Sequence, residues 1–134
     1  MATAPFHHAR GLIDTPILIA YREGLSDAEQ FMAGVRAVGL PELSQISVLG
    51  LFAWCKDASD VAAVRMFLSA AAVHSVTALT MRRAVRLLES LAPCGLTADD
   101  AIIAATAIEH SLPLCTLDPA RFAAVPGLNA ISPY

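Results

Sequence analysis

Three aspartates are spaced so that their carboxylates could bind a divalent cation. Asp14 ends one short apolar run, Asp118 follows another, and Asp100 opens the helical stretch that precedes the second run. Ligands of parallel α/β sheets bind beyond the carboxyl ends of the strands, so these side chains are expected to converge at that edge. Three close carboxylates would repel one another unless a cation neutralised them. The sequence therefore predicts a metal site formed by Asp14, Asp100 and Asp118.

Each aspartate also has a structural interpretation. All three stand at plausible helix N-termini, where a side-chain oxygen accepts hydrogen bonds from otherwise unpaired amides. Taken singly, this capping role is the more common one, whereas the three taken together favour a metal site. Three neighbouring hydroxyls could orient the carboxylates or bound waters, or could be ordinary capping and strand residues. These are Thr15, Ser47 and Thr116.

Short apolar runs alternate with helical patterns along the chain. Strands are expected at residues 11–14, 43–47, 73–76, 113–116 and 128–131. Helices are expected at 15–22, 26–38, 48–56, 77–91 and 97–110, with another from 59 or 60 through Leu68 and a short turn at 119–122. This order predicts a single α/β domain over residues 1–134, in which helices cover both faces of a mainly parallel sheet of four to five short strands.

Two local signals refine these helices. Ser26-Asp-Ala-Glu29 spells a capping box at the start of the second helix. In the helix at 77–91, helical spacing places Leu79, Ala84, Leu87 and Leu88 on one apolar face.

The composition indicates a folded protein without a membrane span. Hydrophobic residues make up 56% of the 134 residues and charged residues 16%, against about 45–50% and about 25% in average globular proteins. The longest run without Asp, Glu, Lys or Arg, 66–81, is shorter than the roughly 20 residues of a transmembrane helix. Asp14 interrupts the only candidate signal peptide, so a cytoplasmic location is expected. The apolar excess favours a surface shared with another chain.

Several other chemistries lack their motifs. The nucleophile elbow G-x-S-x-G, the Walker A loop and G-x-G-x-x-G are absent. His7 and His8 have no partners at the usual zinc-ligand spacing, and Cys55, Cys94 and Cys115 form no C-x-x-C pair. Reduced and mostly buried thiols are expected.

The net charge of −3 at first disfavours a nucleic acid partner. The chain has twelve acidic and nine basic residues, so the remaining charges balance once the three candidate metal ligands are set aside. A nucleic acid substrate stays possible. Arg82, Arg83 and Arg86 share one predicted helix and could follow phosphates, although such a cluster is more often a solvated face.

These motifs together resemble the PIN domain nucleases, and among them the compact VapC-type toxins of bacterial toxin–antitoxin pairs. Asp-x-x-Ile-x-Ala from Asp100, followed some fifteen residues on by Thr116-x-Asp118, is the most specific part of the resemblance. The matching segments follow the family's order over nearly the whole chain. They are Leu12-Ile-Asp14-Thr15, Ile17-Leu-Ile-Ala20, Ile46-Ser47, Asp100-Ala-Ile-Ile-Ala-Ala-Thr106-Ala, Leu114-Cys-Thr116-Leu-Asp118, Phe122 and Val125-Pro-Gly127.

The resemblance implies a PIN-like three-layer fold and an endoribonuclease that hydrolyses RNA phosphodiesters with Mg²⁺ or Mn²⁺. Asp14 and Asp100 would be the principal metal ligands, and Asp118 would bind the ion directly or through water. It further implies a homodimer and a cognate VapB-like antitoxin whose tail crosses the acidic pocket, often with an arginine facing the carboxylates.

One position departs from the family pattern. PIN nucleases usually carry a glutamate six residues after the serine of the second motif, and the count from Ser47 gives Ala53. Asp57 lies one helical turn beyond Ala53, but a solvated helix end is its expected role. Alanine here fits either a divergent member or the replacement of a catalytic glutamate. Glutamate introduced at position 53 is expected on an inward helix face opposite Asp14.

Three alternatives to a nuclease share part of this pattern. Haloacid dehalogenase phosphatases need D-x-D after the first strand, and Pro16 occupies the second acidic position. Response-regulator receivers need a lysine late in the chain, whereas Lys56 is the only lysine. The stronger alternative is a catalytically impaired PIN fold that is retained as a binding or regulatory module, because Ala53 removes a ligand.

Overall fold

The computed structural model describes residues 10–93 and 95–134, so His7, His8 and Cys94 lie outside the described residues. The strands are β1 Leu12–Ile13, β2 Glu42–Ser44, β3 Ala72–His74, β4 Leu114–Cys115 and β5 Ala130–Ile131. The helices are α1 Thr15–Arg22, α2 Ser26–Val38, α3 Gln45–Trp54, α4 Ala58–Ser69, α5 Ala78–Leu91 and α6 Ala98–Glu109. A 3₁₀ helix covers Pro119–Phe122, at the predicted turn.

The strands form one parallel sheet in the order β3-β2-β1-β4-β5. The central strand, β1, lies between β2 and β4, with Leu12 paired to both Glu42 and Leu114. Because every strand runs in the same direction, β1 and β4 end side by side at one edge. The predicted α/β fold with a parallel sheet is confirmed.

Alternate residues of the strands face opposite layers of helices, as a two-residue period requires. Leu12 and Leu114 belong to one buried apolar cluster, with residues of α6 and Phe122. Ile13 and Cys115 belong to a second cluster, formed with residues of α1, α2, α3 and α4. Both faces of β1 and β4 are therefore covered, so two paired residues in each suffice.

Helix α6 is the most deeply buried helix among the described residues. Its residues from Asp100 through Ala107 are all buried, and several are alanines, whose small side chains let neighbouring elements approach closely. Helix α5 covers its outer side, where Ala84 packs with Ala101, Ile102 and Ala105. The start of α6 is consequently held in a fixed position relative to the sheet.

The prediction of a strand at 43–47 is wrong at its end. Strand β2 stops at Ser44, whose hydroxyl accepts a hydrogen bond from the Ile46 amide at 3.3 Å and caps α3. Ile46 and Ser47 therefore lie in the first turn of a helix. A short apolar run such as this one fits both strand and helix patterns.

Helix α3 ends at Trp54 rather than at Lys56, because Cys55 has extended backbone angles. Asp57 then caps α4 by accepting the Asp60 amide at 2.8 Å, so α4 begins earlier than residues 59 or 60. Asp57 is exposed at a helix start, as expected of a solvated helix end, but it does not belong to α3.

Two side-chain predictions for helices also fail. Helix α2 begins at Ser26 itself, with Leu25 as the capping residue and no side-chain hydrogen bond, so the capping box does not form. In α5, Leu79 is exposed and Thr80 is buried in its place. Thr80 donates a hydrogen bond to Glu109 of α6 at 2.7 Å, which explains why a polar residue occupies this buried position.

The remaining boundaries match the predicted ones or differ by one or two residues, mostly because the paired parts of the strands are shorter than the apolar runs. Among the described cysteines, Cys55 and Cys115 are free. Burial raises the pKa of the Cys115 thiol to about 12, so it stays protonated. No helix in the described part of the chain has the length and hydrophobicity needed to cross a bilayer.

A buried glutamate that the sequence analysis did not single out joins β2 to β3 and to the residue Arg10, which precedes β1. Glu42 of β2 accepts two hydrogen bonds from Arg10, at 2.8 and 2.7 Å, and contacts His74 Nε2 of β3 at 2.8 Å. The ring of His74 lies 4.0 Å from that of His110, at the end of α6. The hydrogen bonds from Arg10, more than the burial that opposes them, hold the pKa of Glu42 below its usual range.

Glu42→Gln should lower the free energy of unfolding by about 1–3 kcal/mol at neutral pH, because it removes hydrogen bonds to a charged carboxylate. Because the pKa of Glu42 is lowered in the folded state, its ionisation stabilises the protein at any pH above the ordinary glutamate pKa of about 4.3. This stabilisation is lost as the pH falls through the pKa of Glu42 in the folded protein. Urea denaturation at pH 7 and pH 3 measures the difference, with exposed Glu29→Gln as the control. An equal loss at both pH values would contradict this interpretation.

Candidate functional site

Asp14 lies at the carboxyl end of the central strand and caps α1. Its Oδ1 accepts the Thr15 amide at 2.9 Å, and its Oδ2 accepts the Thr116 hydroxyl at 2.8 Å. Burial raises the pKa of Asp14, while the hydrogen bonds from Thr116 and Thr15 oppose that rise. The negative charge of Asp100 raises this pKa further, and the positive charge of Arg121 lowers it. Arg121 also donates a hydrogen bond to Asp100 at 3.0 Å, so the two charges that act on Asp14 belong to one contacting pair.

Asp100 is fixed at the start of α6 by a capping box. Its Oδ2 accepts the Thr97 amide at 2.9 Å, and its own amide donates to the Thr97 hydroxyl at 3.2 Å. The residue is buried, with 8% of its surface exposed. Asp14 is thus the N-cap of α1, and Asp100 is the third residue of α6 in a capping box with Thr97, so both have the structural role expected at helix N-termini.

Asp118 lies beside the two buried aspartates but differs from them in exposure. Its side chain is 55% exposed, and its Oδ1 accepts the Arg121 amide at 3.3 Å at the start of the 3₁₀ helix. Its own amide donates to the Thr116 hydroxyl at 3.2 Å. Thr116 thus connects Asp14 to Asp118, and Asp118 stands at the rim of the site.

Arg121 brings a positive charge into the site that the sequence analysis did not identify. Its Nη1 donates to Asp100 Oδ2 at 3.0 Å, and its Nε lies 3.5 Å from Asp118 Oδ2. The sequence signal was the spacing of Asp118 and Arg121, which puts oppositely charged side chains on neighbouring positions of a helical turn. The contact with Asp100, twenty-one positions away in the chain, left no local signal.

The hydroxyls of Thr15 and Ser47 contact each other at 2.7 Å and join α1 to α3. Thr15 reaches Asp14 through its backbone amide, and Ser47 reaches it only by way of Thr15. Of the three predicted orienting hydroxyls, Thr116 alone binds a site carboxylate directly. Thr15 and Ser47 instead fix the relative position of two helices at the site.

A glycine makes this close approach possible. A Cβ built on Gly50 of α3 would lie 2.8 Å from Thr15 Cγ2 of α1, closer than real carbon contacts allow. A glycine inside a helix is unfavourable by about 1 kcal/mol relative to alanine, so its presence needs a packing reason. The isolated glycine within an apolar helical run was the overlooked signal.

Ala53 is exposed, whereas the buried positions of α3 are Ser47 and Leu51. The expectation that position 53 faces inward is therefore wrong. Ala53 follows Ile46 by seven residues and shares its helix face, and Ile46 packs against Ala101 and its neighbours in α6. Position 53 thus lies on the α6 side of α3, open to solvent.

The donor set suits a magnesium-type ion in part. Mg²⁺ is usually held by one or two carboxylates together with several waters, and Asp14 and Asp100 supply two buried carboxylates that repel each other. Within residues 10–93 and 95–134, no three acidic, histidine or cysteine side chains already stand in metal-binding geometry. Asp118, together with Arg121, would have to rearrange before a third carboxylate could contribute.

Comparison with known proteins identifies the fold. A family model described as PIN domain matches residues 11–128. A chain of a toxin–antitoxin complex from Klebsiella pneumoniae is similar at 30% sequence identity and a TM-score of 0.76, over 92% of this chain and 98% of that one. No curated protein sequence gives a significant match.

Two further solved structures share the fold at lower identity. A chain of VapBC2 from Rickettsia felis, bound to a DNA fragment from its promoter, matches with 18% identity and a TM-score of 0.73, over 89% of this chain and 95% of that one. A chain of DNA-bound VapBC from Salmonella typhimurium matches with 18% identity and a TM-score of 0.74, over 91% and 96%.

Gly50→Ala should destabilise the protein by about 1–3 kcal/mol, because the added methyl group overlaps the stiff Thr15 side chain. In a Thr15→Ser background, which removes Cγ2 and keeps the hydroxyl, the same change should be neutral or stabilising by up to about 1 kcal/mol. Chemical denaturation of the four proteins gives this coupling directly. Equal losses in both backgrounds would show that Gly50 does not set the α1–α3 approach.

Proposed function

This chain belongs to the PIN domain family, and on that premise we propose that it is a metal-dependent endoribonuclease toxin of the VapC type. The observation that carries the proposal is the pair of buried carboxylates, Asp14 and Asp100, at the carboxyl edge of a parallel sheet. Burial and the charge of Asp100 both act against ionisation of Asp14. A divalent cation bound between the two would remove that repulsion.

Asp14 and Asp100 would hold Mg²⁺ or Mn²⁺, and Asp118 would contact the ion directly or through a water from the rim. When bound, such an ion supplies Lewis-acid stabilisation of charge on the scissile phosphate and lowers the pKa of the attacking water. Thr116 keeps one oxygen of Asp14 in place, and Thr97 does the same for Asp100. No side chain need act as a nucleophile.

The basic residues of α5 would contact the RNA outside the acidic site. Arg82 and Arg86 are exposed and lie one helical turn apart. Arg83 is drawn towards Glu109 of α6 at 3.6 Å, which leaves Arg82 and Arg86 as the better phosphate contacts. Their charge would offset part of the repulsion between RNA and a protein of net charge −3.

Partners follow from the relatives. The Klebsiella pneumoniae chain is part of a toxin–antitoxin complex, and we infer that a cognate VapB-like antitoxin neutralises this protein in the cytoplasm. Large apolar side chains such as Leu25, Leu49 and Met66 are exposed and would be covered in complexes. One of these complexes is inferred to be a homodimer.

A second candidate function rests on Ala53. If the missing glutamate is essential, the protein is a catalytically impaired PIN fold that serves as a binding or regulatory module. Both candidates keep the fold and the acidic pair. They differ in whether that pair binds a cation and cleaves RNA.

The unmodified protein should gain stability from Mn²⁺. At ten times the dissociation constant, binding to the native state adds about 1.4 kcal/mol, which differential scanning fluorimetry detects as a rise of several degrees in Tm. Mn²⁺-dependent cleavage of transfer or ribosomal RNA should accompany it, and Asp14→Asn should lose both effects. A Tm that does not change in millimolar Mn²⁺, or RNA cleavage that persists in Asp14→Asn, would contradict the proposal of a metal-dependent nuclease.

Ala53→Glu separates the two candidates. Because position 53 is exposed, a glutamate there brings no burial penalty. The nuclease candidate predicts that Mn²⁺ affinity and single-turnover RNA cleavage rise together, since PIN nucleases usually carry a glutamate at this position and it lies on the side of α3 that faces α6, the helix of Asp100. The binding module predicts that neither changes. Ala62→Glu, at an exposed position of α4, is the matched control for added charge.

A further inference from the structure

Arg121 is the cation that the structure places among the three aspartates. Its guanidinium reaches Asp100 at 3.0 Å and Asp118 at 3.5 Å, and its charge also acts on Asp14. Hydrogen bonding to Asp100 and the negative charge of that residue raise the pKa of Arg121 above its already high value, so it remains charged. The side chain is 41% exposed and is therefore free to change partners.

Charge balance indicates what this arginine does when the site is in use. Three carboxylates and one divalent ion carry a net charge of −1, which repels a phosphodiester of charge −1. With Arg121 included, the total becomes zero, and the phosphate can approach. A guanidinium also presents several N–H donors in a planar fork that matches phosphate oxygens.

We propose that Arg121 is the phosphate-binding residue of this site, paired with Asp100 in the metal-free protein and transferred to the RNA phosphate when a divalent cation binds Asp100. The inference rests on the proposed nuclease function and adds a residue to it. Arg121 shares Asp100 Oδ2 with the Thr97 amide, so it competes directly for an oxygen that a cation would use. The same side chain would thus weaken cation binding and strengthen RNA binding.

This double role predicts opposite changes in Arg121→Gln. Removing one partly exposed competing charge should tighten Mn²⁺ binding by roughly two- to fivefold in isothermal titration calorimetry. Binding of bulk transfer RNA in millimolar Ca²⁺, measured by filter retention, should weaken. The slope of log K against log salt should fall by about 0.7–0.9, as for the loss of one phosphate contact.

Two variants provide controls. Arg65→Gln removes the same charge from an exposed residue of α4 that faces the Phe52 ring, and it should change neither measurement beyond a small amount. Arg121→Lys keeps the charge without the planar fork, so it should restore the competition with Mn²⁺ and only part of the RNA affinity.

Three outcomes distinguish the role of Arg121 from the nuclease proposal on which it rests. Tighter Mn²⁺ binding with weaker RNA binding supports the proposal. Suppose instead that the unmodified protein binds both Mn²⁺ and RNA. If Arg121→Gln then behaves like Arg65→Gln, or loses affinity for both Mn²⁺ and RNA because the 3₁₀ helix is distorted, the role of Arg121 is overturned and the nuclease proposal stands. If the unmodified protein binds neither Mn²⁺ nor RNA, the proposed function itself is overturned, and the role of Arg121 with it.

Discussion

The burial of two carboxylates, Asp14 and Asp100, is the constraint on which the site depends. Burial and mutual charge both disfavour the ionised form of Asp14, and every polar contact around it acts in the opposite direction. The Thr116 hydroxyl, the Thr15 amide and the Arg121 guanidinium all favour negative charge at this edge of the sheet. A protein that only required helix caps would have no need to bring two such carboxylates together in the interior.

The scaffold holds this unfavourable pair in place through packing. Strand β1 lies at the centre of the sheet, so Asp14 follows a segment that is fixed on both sides and both faces. Asp100 begins α6, which is buried along most of its length and is covered by α5. Gly50 allows α3 to approach α1 beside Asp14. The stability of the two apolar layers thereby compensates for the electrostatic strain of the site.

The sequence was most informative where the hydrophobic periodicity and the capping or helix-breaking residues indicate the same element. The predicted bounds of α1, α2 and α6 agree with the structure to within one residue. Asp14 with Pro16 marks the start of α1, Gly39 follows the end of α2, and Thr97 caps α6. The segment 45–47 was misassigned because Ile46 suits a strand as well as a helix, and the capping by Ser44 decided the outcome. The resemblance to PIN domains is confirmed by the family model, which matches residues 11–128.

The features that the sequence did not reveal depend on contacts across the chain. Glu42 looked like an ordinary polar residue before a strand, and only the fold brings Arg10 and His74 to its carboxylate. Arg121 could be paired with Asp118 from spacing, but its contact with Asp100 requires α6 to pack against β4 and Phe122. The exposure of Ala53 depends on the packing of α3 against α6, which helical periodicity alone did not fix.

The most direct measurement is a crystal structure of the unmodified protein soaked in Mn²⁺, with anomalous scattering used to locate the ion. We expect an anomalous peak about 2 Å from oxygens of both Asp14 and Asp100, with the Arg121 guanidinium moved away from Asp100. Saturating Mn²⁺ that leaves no peak between these carboxylates, with Arg121 still bound to Asp100, would contradict this expectation.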